Sequence, residues 1–182
     1  MTPIDRRSFL AGIPAGLLFL SDPAYATVYF TTTSVQQALF PSATRFVDRS
    51  IELTANQVRA LRRASGTRVS FPRIAAFDAM SGSAKIGTLY IDRVYGKHEF
   101  ITYAVALDRT GAVTGLEIMD YRESYGGEVR NARWRAQFIG RHAGQPLQLN
   151  NPIRNISGAT LSCVHITDGV RRVLATHALI GL

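Results

Sequence analysis

The residues with the most evident chemical capacity lie late in the chain, in Arg154-Asn155-Ile156-Ser157-Gly158-Ala159-Thr160-Leu161-Ser162-Cys163. Ser157 is of a type that caps helices, since its hydroxyl can accept a hydrogen bond from an N–H two or three positions on. From Thr160 the pattern is that of an amphipathic helix. Leu161, Val164, Val170, Val173 and Leu174 recur at helical spacing, with Asp168, Arg171 and Arg172 between them. A helix N-terminus presents free N–H groups and the positive end of the helix dipole, which suits a phosphate. Gly158 lets a ligand come close to the backbone, and Thr160 places a hydroxyl in the first turn. Taken alone, these residues read first as a helix cap followed by small side chains.

A second stretch adds to the first. Tyr121-Arg122-Glu123-Ser124-Tyr125-Gly126-Gly127-Glu128-Val129 is followed by Asn131, Arg133 and Trp134. Together, the two stretches resemble the bacterial FMN-binding domain family, whose members include the flavin-bearing G subunit of the Rnf complex and C subunit of the sodium-pumping NADH:quinone oxidoreductase. Ser157-Gly158-Ala159-Thr160 is similar to the family's Ser/Thr-Gly-Ala-Thr motif. Tyr121 to Val129, with Asn131, Arg133 and Trp134, is similar to its Glu-Thr-Pro-Gly-Leu-Gly-Gly-Glu-Val loop and the Trp-bearing helix after it. The resemblance spans roughly residues 70 to 178. Two departures are visible: the loop lacks the family's Thr-Pro-Gly-Leu portion, and Arg154 stands where the family has Asp in the sequence its flavin transferase reads.

The resemblance implies FMN as cofactor, joined through a phosphoester to Thr160 by a flavin transferase. It implies a site built from Ser157, Gly158, Ala159, Thr160 and Leu161 on one side, and Glu123, Tyr125, Gly126, Gly127, Glu128 and Trp134 on the other. Gly126 and Gly127 would bring backbone close to the flavin, and Glu123 and Glu128 would hold the loop or bond the ribityl hydroxyls. Tyr121, Tyr125 and Trp134 read equally as ring-stacking groups or as ordinary packing. No catalytic constellation or nucleotide-binding glycine motif accompanies them. The expectation is therefore an electron carrier rather than a self-contained enzyme, relaying electrons between a membrane-associated redox partner and a reductase. Two alternatives stay open: a non-redox flavin or haem binding or sensing module, and the flavin subunit of a multi-chain reductase.

Positioning these residues requires a framework. Ser34 is expected to cap a short helix over Val35 to Phe40, and Thr54 to open a helix closed near Ser65-Gly66. Phe46 to Glu52 reads ambiguously. From Ile74 the pattern becomes alternating, with strands expected over Ile74–Met80, Ala84–Tyr95, Phe100–Leu107 and Val113–Tyr121. Gly87 and Gly115 inside strands mark bulges or close backbone approaches. A helix around Ala132 to Ile139 and an extended stretch near Pro146 to Pro152 complete the outline. The sum is an α+β domain, a curved antiparallel sheet with flanking helices. The chain divides into residues 1–26, an N-terminal helical segment over 27–70, and the FMN-binding domain over 71–182.

Residues 1–26 have the order of an export signal. Asp5-Arg6-Arg7-Ser8-Phe9-Leu10 resembles the twin-arginine motif, an apolar run follows, and Ala24-Tyr25-Ala26 suits cleavage. The expected location is the periplasm, with the mature chain soluble. The chain of 182 residues carries a formal charge of +8, and Lys85 and Lys97 are its only lysines. The charge suits an acidic partner or an anionic surface, but no nucleic-acid module is present. Cys163 is the single cysteine, so no internal disulfide or Cys-ligated cluster can form. His98, His142, His165 and His177 are scattered without metal-like spacing, and no metal site is expected.

Overall fold

The computed structural model describes residues 27–181. The expected export signal and its cleavage site lie outside the described residues. Four strands form the centre: β4 (Arg73–Ser81), β5 (Ala84–Tyr95), β6 (Phe100–Asp108) and β7 (Val113–Tyr121). Each is joined to the next by a short turn, and all pair antiparallel. The sequence placed β5 and β7 at their observed limits; β4 extends one residue further at each end and β6 one residue further at its C-terminal end.

The chain before this meander closes its edges. β1 (Thr27–Val28) pairs with β7, while β2 (Arg45–Asp48) and β3 (Ile51–Glu52) share the outer edge of β4. The main strand order is β1-β7-β6-β5-β4-β2, and the sheet is open. The ambiguous Phe46–Glu52 stretch is thus strand, and residues 27–70 are not simply helical.

Helices cover both faces. α1 (Thr32–Leu39) lies on one, and α2 (Ala55–Ser65) and α4 (Thr160–Ile180) lie on the other. α1 is capped by Thr31 rather than Ser34. Ser34 sits at the third helical position, and its hydroxyl returns the bond to the Thr31 N–H at 2.9 Å. α2 carries the same reciprocal arrangement between Thr54 and Gln57 and ends at left-handed Gly66, as its sequence signals required.

The two faces of β6 explain the layering. Ile101, Tyr103, Val105 and Leu107 join the large core beneath α2 and α4, while Ala104 and Ala106 face the smaller core around Val35 and Phe40. Small residues here admit α1 closely. A Cβ on Gly87 would meet the Phe40 ring at 2.6 Å, and one on Gly115 would meet Leu39 at 2.5 Å. Both glycines therefore mark close approaches, and both stand beside breaks in strand register, at Ala79/Met80 and Ala106/Leu107. Such bulges bend a sheet.

Arg172 departs from the sequence reading, in which it belonged with the polar positions of the helix. It is buried, with its guanidinium on Asp92 at 2.6 Å, and Tyr103 donates to the same carboxylate at 2.7 Å. The partner lies on β5, 80 residues away, so helical periodicity alone could not reveal it. Leu161 departs in the other direction and is 49% exposed.

Candidate functional site

The end of the sheet where β5 turns into β6 is also where β7 ends, because Tyr95 pairs with Phe100 and Ile101 with Tyr121. The 96–99 hairpin tip, the loop after Tyr121 and the start of α4 meet there. They enclose a cavity of about 340 Å³, within the range of small-molecule and cofactor sites. Lys97 and His98 come from the tip, Glu123 to Gly126 from the loop, and Gly158 to Ser162 from the helix start. The two stretches singled out in the sequence thus face one cavity.

The loop is fixed by hydrogen bonds. Glu123 Oε1 accepts from the backbone N–H groups of His98 at 2.6 Å and Glu99 at 3.0 Å, tying loop to hairpin tip. Burial alone would raise the Glu123 pKa, but the N–H groups of Glu99, His98 and Lys97 outweigh it and hold the carboxyl below its ordinary value. The Tyr121 hydroxyl donates to the Tyr125 carbonyl and lies 3.0 Å from Ser162 Oγ. Burial pushes this phenol above its ordinary range, and the Ser162 bond partly offsets that. Gly126 has φ +91°, and a Cβ there would lie 2.7 Å from both Ser162 Oγ and the Tyr121 hydroxyl. Only glycine lets this backbone lie against the first turn of α4.

The helix start differs from the expected cap. The Ala159 N–H bonds the Ile156 carbonyl at 3.1 Å, closing a tight turn with Gly158 at φ +86°. Ser157 sits on the exposed corner of that turn and does not line the cavity. Ala159 occupies the N-cap position and supplies no side-chain acceptor. The N–H groups of Thr160, Leu161 and Ser162 consequently find no acceptor among the described residues. These three N–H groups are the free donors of the helix start. Thr160 itself is exposed, and its Oγ1 accepts from Asn155 Nδ2 at 2.8 Å.

Not every expected residue reaches this cavity. Tyr125, Gly126, Gly158, Ala159, Thr160, Leu161 and Glu123 line it; Ser157, Gly127, Glu128 and Trp134 do not. Gly127 opens a 3₁₀ turn (Gly127–Arg130), and a Cβ on it would come no nearer than 3.7 Å to Tyr121. Trp134 belongs to α3 (Ala132–Arg135), a short helix continued by a 3₁₀ turn over Ala136–Phe138. It is buried edge-on against Phe138, and its Nε1 donates to the Arg154 carbonyl at 2.8 Å. Its place is to anchor the strand-to-helix connection. Cys163 is fully buried in the core, and burial raises its thiol pKa. Lys97 and His98 were missed, since they carry no motif and only strand register brings them to the site; Ser124 and Ser162 lie within the two stretches but were not singled out as site residues.

The residues present fit a flavin phosphate ester on chemical grounds. Unpaired N–H donors, an exposed hydroxyl at the first helical position, and glycine backbone without a side chain converge on one cavity. The frame that carries this site is an α+β domain. Residues 96–175 match the family model of the FMN-binding domain, and this segment contains every residue lining the cavity. The chain carries a domain of the FMN-binding family, with FMN as its cofactor. Comparison with curated proteins found no match. Among the described residues, no helix is long and apolar enough to cross a membrane, and no cluster of His, Cys, Asp and Glu is placed to hold a metal ion.

Proposed function

We propose that the protein is an extracytoplasmic electron carrier whose FMN is esterified to Thr160. The observation that carries this reading is the cavity shared by Gly126 and Thr160, at a helix start with three unpaired N–H groups. FMN bound there supplies one- and two-electron redox chemistry. The chain's own contributions are distinct. Thr160 provides the oxygen that the phosphoester would occupy, and the N–H groups of Thr160, Leu161 and Ser162 stabilise the phosphate charge. Gly126 keeps the cavity wall free of a side chain, and Glu123 fixes the hairpin tip that forms the opposite wall. Tyr125 is 87% exposed and Leu161 is 49% exposed, so the cavity opens through apolar side chains that a partner protein can cover.

The twin-arginine-like leader supports delivery to the periplasm, where a covalent bond prevents loss of a cofactor that cannot be replaced by diffusion. A flavin transferase would make the bond, and a membrane-associated donor and a reductase would be the redox partners. Acid precipitation tests the attachment. Wild-type protein should retain flavin absorbance in the precipitate, and Thr160→Ala should lose it while keeping its circular dichroism spectrum. Equal acid-stable flavin in both would remove Thr160 as the attachment point.

A further inference from the structure

The connection leading into Thr160 has a second hollow beside it, of about 500 Å³, whose walls include Arg133, Arg154, Asn155 and Glu128. Asn155 lines this hollow, Thr160 lines the flavin cavity, and the 2.8 Å bond between them joins the two walls. The backbone at both arginines is held, and both side chains are exposed. The Arg154 N–H donates to Gln137 Oε1 at 2.8 Å, and the Arg154 carbonyl accepts from Trp134. The Arg133 N–H bonds Asn131 Oδ1 at 2.8 Å. Yet neither guanidinium makes an ion pair or hydrogen bond among the described residues, and Glu128, the one carboxylate in the hollow, bridges to neither. Arg130 nearby is different, with its guanidinium stacked 3.4 Å from the centre of the Tyr29 ring.

We propose that Arg133 and Arg154 are the cationic ligands of the flavin's phosphate, reaching it from this second hollow while the ring occupies the first. The inference rests on the flavin site proposed above. Free FMN carries a phosphate monoester with between one and two negative charges at neutral pH, and the diester on Thr160 keeps one; either exceeds what a single helix end neutralises, since that end amounts to about half a charge. Guanidinium groups match phosphate oxygens with paired N–H donors and form charge-assisted bonds. The arrangement selects FMN over riboflavin, because only FMN presents the charge.

Equilibrium binding to the Thr160→Ala protein, prepared without flavin, separates the possibilities. FMN should bind more tightly than riboflavin, and inorganic phosphate should compete with FMN. Adding Arg133→Gln and Arg154→Gln should weaken FMN by at least about tenfold, a loss of one or two charge-assisted bonds. Riboflavin affinity should not change, and Arg130→Gln should leave both flavins unaffected. Arg133→Lys with Arg154→Lys should fall between, since charge remains but the paired donors are lost. An unchanged FMN affinity in the folded double Gln variant overturns the proposal, as does an equal loss for FMN and riboflavin. If neither flavin binds Thr160→Ala, the arginine assignment is overturned, since two guanidinium groups on the phosphate would hold FMN without the ester; the flavin reading then stands or falls by the acid-precipitation test alone.

Discussion

Gly126 and Gly127 look equivalent in the sequence, and the structure separates them. Gly126 needs a positive φ and has no room for a Cβ, whereas Gly127 has neither restriction. Gly126→Ala should therefore cost about 2 kcal/mol or more, from left-handed strain and from the displaced Ser162 and Tyr121 hydroxyls. Gly127→Ala should stay within about 0.5 kcal/mol of wild type. Thermal unfolding of the two variants checks this, and flavin content should fall only in Gly126→Ala. Equal destabilisation would mean that the pair is an ordinary turn. The same scale shows what residue type conceals. Ser157 reads as a cap, but a backbone turn through Gly158 carries it to the solvent. Trp134 reads equally as a flavin neighbour and as packing, and its ring is in the core with its one N–H on the Arg154 carbonyl.

At the scale of elements, the site depends on the β5–β6 hairpin tip being held against the loop after β7. Glu123 makes that connection as a carboxylate. Its folded pKa lies below its ordinary 4.5, so the contact contributes fully above about that pH and is lost as pH falls through the lower folded value. The amide resonances of His98 and Glu99 should titrate in that acid window in wild type. In Glu123→Gln they should not, and the tip should exchange its amide hydrogens faster at all pH values. A wild-type tip insensitive to acid in this range would show that the contact is incidental. The sequence reading gave Glu123 a part in holding the loop, but its partners on the hairpin tip were not legible. β5 and β7 were read at their limits because their apolar residues lie between short turn signals, and Thr54 and Gly66 bounded α2 through local chemistry. The meeting of Glu123 with residues 98 and 99 follows only from strand register, a long-range property.

For the whole molecule, the sheet is a platform with a core on each face and the candidate cavity at one end. α1 seals the face where Gly87, Ala104, Ala106 and Gly115 leave space, and α4 is locked across the other by the buried Asp92–Arg172–Tyr103 group. α4 thereby presents its N-terminus where β7 delivers the glycine loop. The α+β class was legible from alternating strands between helical stretches. The buried ion pair was not, because an arginine in a helix ordinarily belongs to the solvated face. On the proposed function, this platform holds a flavin ester on one hydroxyl. Peptide mapping by mass spectrometry decides it, on protein produced in a host with twin-arginine export and a flavin transferase. Trypsin should release residues 155–171, which contain Ser157, Thr160, Ser162 and Thr167. This peptide should be heavier by one FMN less one water, with fragmentation placing the added mass on Thr160. An unmodified peptide, or the same mass on another of these hydroxyls, would contradict it.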